Sequence, residues 1–389
     1  MQRKDFLSAG AGALAALAAP ASAIAQILPG QRFAQQLTIG VSVPLSGDLI
    51  RQGEQVADGV RAAILETNGT GGPLDRVFGM RTFDDMGALA SAITNVQFAA
   101  SDSTIIGMIG NLQGSVTLAT LPQYGNVQMP LVVPVATTDG ITEKGYRNVW
   151  RLPTKDSVEG NLYARYISSA VKPKNSIAVT QDGDYGYDVA QGFVAAAKSA
   201  GMQADTYVFP FEKPDFALAA KTVLTKTPDF IYLCGKTKDM GPLIPALRAA
   251  GFAGKFGACD GFYDPTTIKE YGDKLAPFTL SSSLPPLDRA PGVFQILQDF
   301  RAHVGELTPL SSFGYAAAQI IISAARRTGA TNRLALMSAL RAPSMYQTLV
   351  GDFQFTPNGD PIDPNVYFYT IADGKFKFVK PAHPSGFIL

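Results

Sequence analysis

The feature that most constrains this chain is an alternation. From Leu37 on, short apolar runs take turns with longer segments whose apolar residues recur at helical spacing. "LTIGVSV" reads as a strand, and a helix is predicted over 52–68, with Val56, Val60, Ala63, Ile64 and Thr67 on one stripe. Gly69, Gly71, Gly72 and Pro73 end it. "VFGMRTFDD" then precedes a helix over 88–100, "TIIGMIG" a helix over 115–124, and "MPLVVPV" forms a fourth strand. "NVWRLPT" leads into a second series: a helix over 158–170, "NSIAVTQD", a helix over 185–200, "ADTYVF", a helix over 216–225, "DFIYLCG", a helix over 240–250, and "KFGACDG". Strands alternating with helices predict parallel sheets covered on both faces, an α/β fold, and two series predict two Rossmann-like lobes. The C-terminal third belongs to neither series. It reads as helices over 293–304, 313–327 and 333–340, followed by strands in "GDFQFTPNGDP", "NVYFYTIADG" and "KFKFVK", with Asp373-Gly374 as a hairpin turn. It would pad both lobes if the chain crosses back between them.

The 389 residues suffice for two domains. A formal net charge of +1 leaves no basic surplus to neutralise phosphates, which speaks against a nucleic-acid partner. The two histidines, His303 and His383, stand alone, and nothing has metal-ligand spacing, so neither a metal nor another cofactor is expected. At the N-terminus, Arg3 and Lys4 precede "FLSAGAGALAALAAPA", and Ala23 and Ala25 fit the small-x-small pattern of signal peptidase. Residues 1–25 are therefore expected to be a signal peptide cleaved after Ala25, placing the mature chain in the periplasm or outside the cell. "RKDFL" resembles a loosened twin-arginine signal, and general secretion signals also begin with basic residues, so both export routes stay open. Pro20 and an apolar stretch shorter than the ~20 residues of a spanning helix argue against a membrane anchor. Export implies an oxidising compartment. Cys234 and Cys259, each closing an apolar run, either pair in a disulfide or remain two buried free thiols.

In open parallel sheets, ligands bind beyond the carboxyl ends of the strands. Those ends read "PLSGD", "GNLQGS" and "VATTDG" in the first series, and "QDGDYG", "CGKTKD" and "CDGFYD" in the second. If the two sheets face each other, these loops line one cleft. The apolar run before Thr137 and Thr138 then breaks into hydroxyls because the strand ends there, where a hydroxyl and a free backbone N–H receive a ligand carboxylate. Ser115, at the start of a helix, offers another hydroxyl with the dipole behind it, or serves only as the N-cap. "QDGDYG" is too short for a calcium loop, and Asp184 suits a helix cap, while Tyr185 puts its ring and hydroxyl into the cleft. "SVPLSGDLIRQG" is not a dinucleotide fingerprint, no G-x-S-x-G elbow occurs, and no histidine neighbours a candidate serine, so an enzyme is not expected. A ligand-sensing receptor module remains the alternative of another class.

From Leu37 to about Lys380 the chain resembles the leucine/isoleucine/valine-binding family of ABC-importer solute-binding proteins, with the type I periplasmic binding fold. The resemblance rests on an ordered set: "IGVSVPLSG", "GVRAAILETNGTGG", "FDDMG", "MIGNLQGSVTLATLPQYGNVQMPLVVPVATTDGIT", "VWRLPTKDSVEGNLYARY", "DGDYGYDVAQGF", "CGKTKDMGPLIPALRAAGF" and "FGYAAAQIIISAARRTG". It implies two lobes joined by a three-crossover hinge that shuts on the ligand, here 37–153 plus 284–348 and 154–283 plus 349–380. It also implies that Thr137 meets the ligand carboxylate, that the Val135 carbonyl lies near its ammonium, and that Tyr185 and the acidic Asp260 face it from the second lobe. Asp260 has a second reading as a turn or cap residue. Three positions depart from the pattern. The family serine falls on Gly114, beside Gln113 and Ser115. An aromatic wall falls on Gln52, and a second-lobe aromatic on Lys236. Lys236 either pairs with Asp260, which suits an organic acid without an amine, or stays apart and suits a ligand with an extra acid group, or reaches out to water. The implied function is capture of an amino acid or related small carboxylate for an ABC permease, with a non-amino organic acid, an aromatic acid or an amide as the alternative ligand.

Overall fold

The structure, a computed structural model, describes residues 36–70, 76–182, 185–286, 305, 307–384 and 386–387. The expected signal peptide, the helix over 293–304, the break at 71–73 and the Asp184 cap lie outside the described residues. The first series folds as β1 (Leu37–Val43), α1 (Ile50–Gly69), β2 (Phe78–Asp84), α2 (Leu89–Ser101), β3 (Ile105–Gly110), α3 (Gly114–Asn126), β4 (Leu131–Val133), α4 (Gly140–Glu143) and β5 (Val149–Arg151). Its strands form one sheet in the order β2-β1-β3-β4-β5, parallel throughout. Every residue of β1 and β3 is buried, which is why these strands read as continuous apolar runs rather than alternating ones. Core side chains fill both faces: Val56, Val60 and Ile64 of α1 on one, Val96 of α2 with Leu121 and Tyr124 of α3 on the other.

The second series follows with α5 (Asp156–Ala170), β6 (Asn175–Gln181), α6 (Tyr187–Ser199), β7 (Gln203–Phe209), α7 (Phe216–Leu224), β8 (Phe230–Cys234), α8 (Thr237–Met240), α9 (Leu243–Ala249), β9 (Lys255–Ala258), α10 (Pro265–Leu275) and β10 (Phe278–Ser282). The helix expected over 240–250 is broken at Gly241-Pro242, because proline offers no N–H to continue the ladder from α8. The strands β7-β6-β8-β9-β10 pair in parallel.

The C-terminal third divides between the lobes, as its lack of membership in either series suggested. Helices α11 (Pro309–Thr328) and α12 (Arg333–Arg341) pack into the first core, with the small antiparallel pair β11 (Tyr346–Thr348) and β12 (Gly351–Phe353). Strands β13 (Val366–Ala372), β14 (Lys375–His383) and β15 (Gly386–Phe387) extend the second sheet antiparallel, beyond β10. Asp373 and Gly374 both take positive φ (53° and 67°), as a two-residue hairpin turn requires. Leu349, Val350 and Phe353 belong to the first core, so the last passage between sheets comes later than the boundary expected at 348/349. Only Gly351–Phe353 of "GDFQFTPNGDP" is a strand; the following residues make a turn closed by the bridge between Phe355 and Pro361. Among the described residues, the chain thus passes between lobes around 152–155 and around 354–365. Among the described residues, no helix is long and apolar enough to cross a membrane.

Candidate functional site

The first passage carries the chain from the carboxyl end of β5 directly into α5. The first turn of α5 therefore stands at the carboxyl edge of both sheets, where the candidate loops end. That turn bears Asp156 and Glu159, three apart and so on neighbouring positions of one face. Both are buried, at 2 % and 0 % exposure. The N–H of Asp156 donates to the Thr137 carbonyl (3.1 Å), and the Thr137 hydroxyl bonds to the Asp156 carboxyl. One turn on, Glu159 Oε1 accepts the backbone N–H of Asp260 (3.1 Å) and the Ser281 hydroxyl (2.7 Å). Thr137 of the first lobe and Asp260 of the second, read from segments more than a hundred residues apart in the sequence, thus meet around one helix start.

The second-lobe side is acidic. Asp260 opens a turn after β9 and accepts the Tyr185 hydroxyl on Oδ1 and the Ser283 hydroxyl on Oδ2 (3.1 Å). Burial raises its pKa, and those hydroxyls offset part of the rise. Burial also pushes Asp156 and Glu159 well above the ordinary carboxylate range, with the Asp260 charge adding to both. Asp260 has no cationic partner among the described residues, and no ion pair joins it to the half-buried Lys236, which stands just before α8. Asp156 Oδ1 and Glu159 Oε2 are buried without hydrogen-bond partners among the described residues.

The first-lobe side presents mainly uncharged groups, its Asp139 and Asp48 carboxyls being tied to second-lobe residues. Gly114 is the first residue of α3, and a Cβ there would lie 1.8 Å from Thr138 Oγ1. A serine at 114 would collide with that hydroxyl, so Thr138 supplies a hydroxyl group at the place where the resemblance pointed to one on residue 114. Ser115 is the second helical residue and exposed; the N-cap is Gln113, whose side chain makes no capping bond. Gln113 and Gln52 are half-buried, each with an Oε1 that lacks a partner among the described residues. Val135 is half-buried against the first core. Across the gap, Ser157 donates its N–H (3.0 Å) and hydroxyl to Asp139, and Lys238 Nζ lies 3.1 Å from Asp48.

Cys234 and Cys259 sit at the ends of neighbouring strands, as a disulfide would need, yet both are free buried thiols. The Cys234 thiol turns to the Tyr232 carbonyl of its own strand (3.7 Å), and Cys259 Sγ lies 3.2 Å from the Gly235 N–H and 3.4 Å from the Tyr185 hydroxyl. Adjacent parallel strands hold the sulfurs near each other without aiming them together. The residues that sequence reasoning missed are Asp156, Glu159, Ser281 and Ser283. The signal for the first two was present, two acids three apart at a helix start beside a sheet edge, but the helix was expected to begin at 158. A recess of about 390 Å³ lined by Pro122, Tyr146, Arg147 and Met337 lies elsewhere, where α3 finishes and β5 begins, and contains none of these residues.

A family model described as "Periplasmic binding protein" matches residues 36–375. Leu/Ile/Val-binding protein homolog 1 of Brucella abortus (strain 2308) is 24% identical over 347 residues, covering 88% of this chain and 93% of that protein. The crystal structure of a leucine binding protein, LivK, from Thermotoga maritima superposes with a TM-score of 0.80 at 21% identity, covering 90% of this chain and 99% of the other. A solute binding protein of an ABC transporter from Rhodopseudomonas palustris BisB5, in complex with 3,4-dihydroxy benzoic acid, superposes with a TM-score of 0.76 at 16% identity, covering 90% and 97%.

Proposed function

The chain belongs to the periplasmic binding protein family, and from that premise we propose that it captures an α-amino acid or related small carboxylate between its lobes and delivers it to an ABC permease. The observation that carries this reading is the meeting of Thr137, Asp260 and Tyr185 around the first turn of α5. Uncharged donors on the first-lobe side (Thr137, Thr138 and backbone N–H groups) suit a carboxylate. Asp260, which has no cation of its own among the described residues, suits an ammonium. Enclosing an unpaired carboxylate away from water costs several kcal/mol, so a closed site demands a ligand that brings the opposite charge. No catalytic step is part of this reading; binding and closure suffice.

Lys236 refines the ligand class. Since it makes no pair with Asp260, its ammonium is left to meet a second acid group or another acceptor on the ligand. The ligand we favour is an amino acid with such a group on its side chain. An aromatic acid is the second reading, supported by the relative of similar fold that holds 3,4-dihydroxy benzoic acid. Thermal unfolding with L-leucine, L-glutamate, L-glutamine, benzoate and 3,4-dihydroxybenzoate separates the two. A ligand at a hundred times its Kd stabilises by ~2.7 kcal/mol, enough to raise Tm by about two degrees or more. A rise with glutamate or glutamine supports the favoured reading, and a rise with the aromatic acids alone supports the second. No rise with any of the five contradicts both. Export to the periplasm through a signal peptide at 1–25 belongs to the same proposal and is checked by the N-terminal sequence of the mature protein.

A further inference from the structure

Arg151 ends β5 and is fully buried, at 0 % exposure. A buried guanidinium needs partners for its five N–H donors. Here the four Nη N–H groups find theirs in one loop, and Nε faces one carboxylate as an ion pair. Nη1 donates to the carbonyls of Thr137 (2.7 Å) and Thr138 (3.0 Å), and Nη2 to the Asp139 carbonyl (3.0 Å) and the Thr142 hydroxyl (2.5 Å). Nε lies 2.8 Å from Asp360 Oδ1, which also accepts from Thr142 (2.6 Å). Asp360 belongs to the last passage between lobes. Its Oδ2 lies 3.2 Å from Lys155 of the first passage, and Lys155 also reaches Glu143 (3.0 Å). The last passage is pressed against β5: Arg151 N–H donates to the Gly359 carbonyl (2.9 Å), and Gly359, at φ +92°, has no room for a Cβ, which would lie 2.0 Å from the Val149 carbonyl.

In a trans peptide the carbonyl of one residue and the N–H of the next point in opposite directions. Three successive carbonyls aimed at Arg151 therefore turn the N–H groups of Thr138, Asp139 and Gly140 away from it. The Asp139 N–H meets the carboxyl of Asp188, across in the second lobe, which fixes that direction as the gap between lobes. We infer that Arg151 and Asp360 are positioning residues: through them the two passages set the shape of the 137–142 loop and present the Thr138 and Gly140 N–H groups to the ligand. This rests on the reading that the ligand lies in that gap. Movement of either passage reaches the loop through one carboxylate and one guanidinium.

The test is amide hydrogen exchange on the ligand-free full chain, comparing wild type with Asp360→Asn and Thr142→Val, variants that keep the buried guanidinium. The expected result is exchange in 137–142 faster by roughly tenfold or more, with β1 and β8 unchanged. A second arm measures affinity for L-glutamate and L-leucine. Asp360→Asn should bind whichever of them wild type binds about tenfold or more weakly, which a merely structural contact would not produce in a folded protein. Unchanged exchange in 137–142 in both variants overturns the inference, and so does a rise spread evenly over the first lobe. Wild type that binds neither amino acid counts against the proposed function, while the exchange arm still decides the relay.

Discussion

On the first-lobe side the site is made of groups without charge: Thr137, Thr138, Gln113 and the N–H groups of the 137–142 loop. Its buried cation, Arg151, is spent behind the loop on backbone carbonyls and Asp360, and the Asp139 and Asp48 carboxyls are tied to Ser157 and Lys238. On the second-lobe side Asp156, Glu159 and Asp260 crowd together, tied by Tyr185, Ser281 and Ser283. On the proposed reading, this difference would hold a solute with two opposite ends one way round, donors in one lobe taking the anionic end and acids in the other the cationic end. The first turn of α5 makes the two halves one site, because it touches both.

Breaking the acidic half should have the largest effect. Asp260→Ala is expected to weaken amino-acid binding about a hundredfold, by titration calorimetry, because it strands the ligand ammonium in an enclosed site. Thr137→Val attacks the other half and should cost about tenfold, since neutral donors contribute less than charged ones. It should also raise the pKa of Asp156 further, because the hydroxyl that lowers it is gone. Equal losses from both variants would erase the contrast between the lobes.

The acidic half also predicts a pH dependence. Glu159 has a folded pKa raised above its ordinary value by burial first and by Asp260 second. Between those two values the folded chain keeps a proton that the unfolded chain has lost. Stability should therefore fall as pH rises above the ordinary carboxylate range, in denaturant midpoints, and Glu159→Gln should flatten that slope. Lys236→Met should weaken an acidic amino acid by roughly fivefold and leave leucine unaffected, sharpening which lobe reads the side chain. The smallest effect is expected of Asp48→Ala. Its pair with Lys238 is exposed on both sides (85% and 76%) and should be worth less than about 1 kcal/mol.

The sequence made the lobes legible because their strands are buried on both faces and bounded by turn residues, as in "LTIGVSV" and "DFIYLC". It failed where tertiary contacts set the element. Tyr346–Thr348 is a strand only because Gly351–Phe353 pairs with it, and Gly241-Pro242 split a helix whose apolar spacing looked continuous. Around the candidate site, Thr137 and Tyr185 stand in loops that follow apolar runs, and Asp260 was pointed to by the family resemblance. Arg151 was not legible, because a buried charge in a strand looks like a surface residue until its partners are known. Gly114 shows the same limit: its lack of a side chain makes sense only once Thr138 is seen beside it.

The most direct test is a crystal structure of the chain with its most stabilising solute bound. The expected result is a solute that touches both Thr137 and Asp260, its carboxylate on the 137–142 loop and its other end toward Tyr185. A solute seated elsewhere, for instance in the recess beside Tyr146 and Arg147, or one touching a single lobe only, would contradict it.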